Sequence, residues 1–162
     1  MFPRRLSLFL LIVLMVPTHQ VISPQRDTNA EETVAAGFLR LRQQAGLPPL
    51  KRAEGTTFSQ AACDAAGHGN PDKVWAENAN YAAMIYSTAK ADSVQPIEAM
   101  ASRAWKPDQR LIVGVCFANT PAFTSGRYWI AVGVLGGTSD KTVADLLSGK
   151  PSSKKSAVAD GE

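Results

Sequence analysis

Few groups in this chain could do chemistry. The 162 residues hold two histidines, and His19 sits beside an N-terminal apolar run, which leaves His68 as the imidazole available to a folded domain. Imidazole titrates near neutral pH and ligates metals, so His68 is the first candidate for either task. The two cysteines, Cys63 and Cys116, are the next. A thiol nucleophile would need His68 beside it. Cys63 and His68 lie five apart across a helix end, a poor spacing for one shared face. Cys116 falls in an apolar strand, where burial dulls a thiol. The two could instead pair as a disulfide, stapling helix to strand and closing a loop of about 50 residues, worth roughly 3–4 kcal/mol. The alternative is two small buried hydrophobes that never meet. No Gly-x-Ser-x-Gly elbow occurs, and Gly133-x-x-Gly136-Gly137 lacks the Lys-Ser/Thr of a phosphate loop. Trp75, Tyr81, Tyr86, Trp105, Phe123, Tyr128 and Trp129 remain, as core packing or as the lining of a groove for lipid, glycan or peptide. Phe123, on a predicted loop next to Pro121, is the one predicted to be exposed.

The elements that must position these groups follow from pattern. Residues 111–118 and 128–135 are β-branched, aromatic and free of charge, which predicts two strands joined by a polar hairpin loop over 119–127. Strands this apolar need cover on both faces, and upstream helices must supply it. After a polar linker at 23–27, Thr28-Asn29-Ala30-Glu31 has the form of a capping box. Val34, Phe38, Leu41 and Ala45 follow at helical spacing, with Gly46 as the stop. Pro48 and Pro49 hold an extended connector. Thr57-Phe58-Ser59-Gln60 reads as a second capping box, opening an Ala-rich helix over 58–66 that Gly67 ends. Residues 79–91 are apolar with an ambiguous period and are read as helix. Residues 93–105, with Pro96 in the first turn, predict another. A last short helix over 139–147 precedes a polar, disordered tail.

Composition narrows the class. Hydrophobic residues at 45% and charged residues at 19% describe an ordinary globular chain. Arg4-Arg5 and the apolar run over 6–16 read as a secretory leader, since about 11 apolar residues fall short of the roughly 20 that span a bilayer. Val21-Ile22-Ser23 is the nearest cleavage candidate, and an uncleaved anchor is the alternative. Losing Arg4 and Arg5 lowers the formal charge of +3 by two, to +1, which argues against nucleic acid as a partner.

Four segments, taken in order, resemble the CAP superfamily of SCP-type secreted domains. Residues 38–50, ending Arg42-Gln43-Gln44-Ala45-Gly46-Leu47-Pro48-Pro49-Leu50, resemble its opening helix and "N-x-x-R-x-x-x-G-L-x-P-L". The Ala-rich helix leading to His68 resembles its second signature, and Ala76-Glu77-Asn78 its Gly-Glu-Asn. Val113-Gly114-Val115 and Tyr128-Trp129 resemble its closing strands. The resemblance spans about residues 30–136 and implies an α+β fold, a three-layer α-β-α sandwich with a mostly antiparallel central sheet. Members often carry two His and two acidic residues in a cleft, sometimes with a divalent metal. His68 matches the first His and Glu77 the Glu of Gly-Glu-Asn, with Asn78 beside it. The second acidic position falls near Arg103, and the second His has no counterpart between Met100 and Val113. Zinc needs about four ligands, or three and an open position, and His68 with Glu77 supply two. The expected cleft is vestigial: His68, Glu77 and Asn78, with no cofactor.

The expectation is an exported CAP/SCP-like domain over residues 28–137, behind a leader or anchor at 1–23 and ahead of a tail at 138–162. Its expected role is a non-enzymatic extracytoplasmic binding or structural module for a lipid, glycan or protein ligand. The alternatives are a weak metal-dependent hydrolase or metal-binding module using His68 and Glu77, with a divalent metal such as zinc, and a membrane-anchored interaction protein.

Overall fold

The computed structural model describes residues 22–69, 73–74, 81–121 and 123–136. Along the chain these form β1 (Gln25–Arg26), α1 (Thr28–Gln44), β2 (Lys51–Arg52), α2 (Thr56–His68), β3 (Lys73–Val74) and β4 (Tyr81–Thr88). A 3₁₀ turn (Gln95–Ile97), α3 (Glu98–Ala101), β5 (Arg110–Thr120) and β6 (Phe123–Leu135) complete the order. The fold is α+β: a mostly antiparallel sheet in the order β1-β5-β6-β4-β3, with β2 parallel on β5, and three α-helices among the described residues. Residues 1–21 of the expected leader, Trp75, Glu77, Asn78 and the expected tail after Gly136 lie outside the described residues. No helix of the described residues is long and apolar enough to cross a membrane.

β5 and β6 pair from Arg110↔Leu135 to Ala118↔Arg127, as their composition predicts, and then continue through a bulge to Thr120↔Phe123. The polar loop expected over 119–127 is therefore largely strand. Phe123 is half-buried and not exposed, because its ring meets Trp129 edge-on at 6.3 Å and lies under the Arg127 guanidinium at 4.5 Å.

Residues 81–88, expected to be helical, are a strand paired with β6 along its whole length. β4 sends Ala82 and Tyr86 into one hydrophobic cluster and Ala83 and Ile85 into another. A strand buried on both faces shows no apolar–polar alternation to read. The helix expected over 93–105 shrinks to the 3₁₀ turn and the single turn of α3, with Ala104 exposed. Arg42 Nη1 takes the carbonyls of Ala101 (2.9 Å) and Arg103 (2.8 Å), and Trp105 folds back to donate its Nε1–H to Met100 O at 2.8 Å.

The helix ends also differ from expectation in instructive ways. Asp27, and not Thr28, caps α1 by accepting Ala30 N at 2.9 Å, so the linker expected over 23–27 supplies both β1 and the cap. The C-terminus of α1 closes as predicted. Gly46 at φ +70° donates to Gln43 O, and Leu47 N donates to Arg42 O at 2.9 Å, a Schellman arrangement. Ala45 is exposed, and Arg42 takes the buried place one turn earlier. α2 starts at Thr56 behind Gly55, which has no side chain to cap with, so Thr57 lies inside the helix and Gln60 donates to Asp64 Oδ1 at 2.8 Å in place of the expected capping box. It passes through Gly67 and stops at Gly69, whose left-handed φ of +63° ends it.

Alternate strand residues feed two hydrophobic clusters. One joins Leu111, Val113, Val115, Ile130, Val132 and Val134 to Val34 and Phe38 of α1 and to Met100 and Ala101 of α3. The other joins Ile112, Cys116, Ala118, Trp129 and Ala131 to Phe58, Ala62 and Ala66 of α2. Gly114 and Gly133 lie on this second side, where a side chain would strike Phe58. The Ala-rich face of α2 and these two glycines are what let helix and sheet approach so closely. Trp129, Tyr86 and Trp105 are core residues, not groove lining.

Candidate binding cleft and the buried carboxylate beside it

The cleft arises where two neighbouring segments part. β1 pairs with β5 at Arg26↔Cys116 and Gln25↔Phe117, and upstream of Gln25 the ladder stops. Residues 22–24 then run past the end of β5 without pairing, and the last turn of α2 closes the third side. The result is a cavity of about 440 Å³ lined by residues 22–24, 66–69 and 118–121. That volume suits a small ligand or a short stretch of chain. Its walls mix apolar groups (Ile22, Pro24, Ala118, Pro121) with polar ones (Ser23, His68, Asn119, Thr120). Ile22 N donates to Asn119 Oδ1 across it.

His68 is the last residue of α2 and stands exposed on the cleft wall. Its Nδ1 lies 2.6 Å from Asp64 O. A carbonyl only accepts, so Nδ1 carries the hydrogen of this bond. The helix backbone thus fixes the ring that the cleft presents. Glu77 and Asn78 lie outside the described residues. Arg103, which the resemblance sets near the second acidic position, has its guanidinium 4.5 Å from the centre of the Trp105 ring. Among the described residues no three His, Cys, Asp or Glu side chains gather as a metal site.

Cys63 and Cys116 form a disulfide, their Cα atoms 5.0 Å apart, and it fastens the middle of α2 to β5. Both sulfurs are committed to that bond, so neither is a nucleophile in this state. The staple holds two of the three walls of the cleft in a fixed relation.

The most constrained polar group is one that sequence reading placed in a capping box. Glu31 is 4% exposed. It accepts from Arg26 Nε at Oε1 and Arg26 Nη2 at Oε2, both at 2.8 Å, and from Ser59 Oγ at 2.8 Å. Val115 N approaches Oε1 at 3.4 Å. One carboxylate thus ties α1 to the residue before it in β1, to α2 and to the middle of β5. Burial alone would raise its pKa, but the hydrogen bonds from Arg26, Ser59 and Val115 and the nearby Arg26 charge outweigh it and hold the carboxyl below its ordinary range. Arg42 is its counterpart at the other end of α1, wholly buried, with Nε on Pro48 O at 2.9 Å besides its two bonds near α3. Burial lowers the Arg42 pKa. A signal for both was present. Glu31, Val34, Phe38 and Arg42 share one helical stripe, and a charged residue on a core stripe must find an internal partner.

No protein-family model, curated protein or solved structure matches this chain.

Proposed function

We propose that this protein is an exported domain of the CAP/SCP type, a three-layer α-β-α sandwich that serves as a non-enzymatic binding or structural module outside the cytoplasm. The observation that carries the reading is the 440 Å³ cleft at the end of α2, whose walls are braced by the Cys63–Cys116 disulfide. A disulfide of this kind persists in oxidising compartments, in keeping with an N-terminal leader that is either cut before Ile22 or retained, since Ile22 and Ser23 stand in the cleft wall. The two hydrophobic clusters, one served by α1 and α3 and one by α2, support the layered arrangement. The cysteines spend their sulfurs on each other, which leaves no thiol nucleophile while the disulfide stands.

The ligand is a lipid, glycan or protein segment small enough for the cleft, and neither nucleic acid nor a cofactor enters the reading. The test uses the exported full chain and three probes: dihexanoyl phosphatidylcholine, an N-acetylglucosamine trimer and a tripeptide. One of them should give saturable NMR shifts at residues 66–69 and 118–121. Gly67→Phe, placed where an added side chain meets open space, should abolish those shifts by filling the cleft. Turnover of a peptide or ester substrate that His68→Ala abolishes would overturn the reading.

One observation favours the metal-dependent alternative. An imidazole whose Nδ1–H is held by a carbonyl presents Nε2 as metal-ligating histidines do. Zinc calorimetry decides it: heat lost in both His68→Ala and Glu77→Gln would assign the pair as ligands. Intact mass of the exported product separates a cleaved leader from a retained membrane anchor.

A further inference from the structure

The outer wall of the cleft is fastened to the body differently from the other two. Residues 22–26 are all exposed, and none of them belongs to either hydrophobic cluster. Ile22 is 42% exposed, the one large hydrophobic so placed among the described residues. The segment's ladder to β5 is two residues long, too short to hold a strand by itself. Its side-chain fastening is the two-pronged bond of Arg26 to Glu31. The two partners are unlike each other. The Arg26 side chain is 46% exposed, whereas that of Glu31 is 5% exposed and is also gripped by Ser59 Oγ from α2. The receptor is therefore part of the body and keeps its place when the arginine leaves. α2 and β5, by contrast, are joined by apolar packing and by the disulfide, neither of which involves residues 22–26.

We propose that residues 22–26 are a strap latched by the Arg26–Glu31 pair, which opens and closes the outer wall of the cleft while the rest of the domain stays folded. A segment with few apolar contacts, held by a two-residue ladder, the Arg26–Glu31 pair and the bond from Ile22 N to Asn119 Oδ1, is the kind that opens locally, with a free energy well below that of global unfolding. The bidentate pairing makes the latch directional, since both carboxylate oxygens must face the guanidinium fork at once. When the strap lifts, Ile22, Ser23 and Pro24 leave the cavity together, so access to the His68 side of the cleft is set by the latch. This gating deepens the binding reading above, but the strap itself does not depend on it.

Hydrogen exchange followed by mass spectrometry on the exported full chain tests the latch without any ligand. In Arg26→Gln the amides of Gln25 and Asp27, which bond to β5, should exchange about fivefold faster, as expected for the loss of a half-exposed ion pair. Those of Val113 and Val132 in the sheet centre should be unchanged. Arg26→Lys, which keeps the charge and loses the fork, should fall between the two. Strap amides that exchange alike in the native protein and Arg26→Gln would overturn the proposal, because the ladder and not the ion pair would then hold the segment. Equal acceleration of strap and sheet centre would overturn it as well, since the strap would have no independent opening. A domain that binds none of the three probes leaves this result standing, and an immobile strap leaves the binding reading standing.

Discussion

Replacing Glu31 by alanine should cost more than any other surface-adjacent change in the molecule, and its cost should depend on pH. The structure sets the size. Arg26 is nearly half exposed, so losing its pair counts at the surface value of up to about 1 kcal/mol. Ser59 is buried, and its hydroxyl keeps only a 3.4 Å approach to Gly55 O, so losing a 2.8 Å bond to a carboxylate adds about 1.5–3 kcal/mol. Val115 N at 3.4 Å adds little. The sum is about 2–4 kcal/mol, a fall in Tm on the order of 10 °C for a domain of this size. The sign with pH follows from the lowered pKa. The folded carboxyl binds its proton more weakly than the unfolded one, whose value is 4.5, so its contribution is complete above that pH. It is lost as pH falls below that value, through the lower folded pKa. Urea unfolding, followed by the fluorescence of buried Trp105 and Trp129 without reductant, should show the full gap at pH 7 and a smaller one at pH 3. Equal stability at pH 7 within about 0.5 kcal/mol, or a gap that does not change with pH, would refute the assignment of Glu31 as an ionised internal tie.

Three further changes probe the same frame. Gly114→Ala would drive a methyl group into the backbone of Phe58 and Ser59, where no side-chain rotation gives relief; unfolding should show a loss of about 2–3 kcal/mol or more. Cys63→Ser with Cys116→Ser should remove about 3–4 kcal/mol by the loop-closure argument, read as a drop in the urea midpoint that added reductant reproduces in the native protein and leaves unchanged in the variant. Arg42→Met keeps the apolar stem but strands the carbonyls of Pro48, Ala101 and Arg103. It should cost about 3 kcal/mol and speed exchange at the amides after α3, checked by calorimetry and hydrogen exchange.

How legible all this was depended on whether a residue's surroundings lay close to it in sequence. The Gly46 stop and the apolar character of β5 and β6 are local properties, set by backbone freedom at one residue and by side-chain type over eight. β4 was read as helix because Ala82 through Tyr86 are apolar on both sides, and only pairing with β6, over 40 residues away, makes that stretch extended. Gly67 was read as the stop of α2; the left-handed backbone of Gly69, whose N–H meets carbonyls of the last turn, sets the end two residues further on. In the cleft, His68 was found because histidine is rare here. Its setting was not, since residues 22–24 and 118–121 meet at the end of α2 only after the chain has doubled back. Glu31 had the look of a capping-box residue, and Ser59 of a second helix is one of the partners that draw its carboxylate into the core.

By itself the amino-acid order determined that this chain has an apolar hairpin needing cover, helices able to give it, two cysteines suited to an oxidising compartment and a single histidine near a helix end. Those are properties of type and spacing. Tertiary structure decided that the cysteines meet, that a carboxylate from the first helix becomes an internal tie for three elements, and that a cleft opens beside its latch. The physical reason is that each depends on groups from distant segments whose distances and burial are fixed only when the sheet and its helices pack.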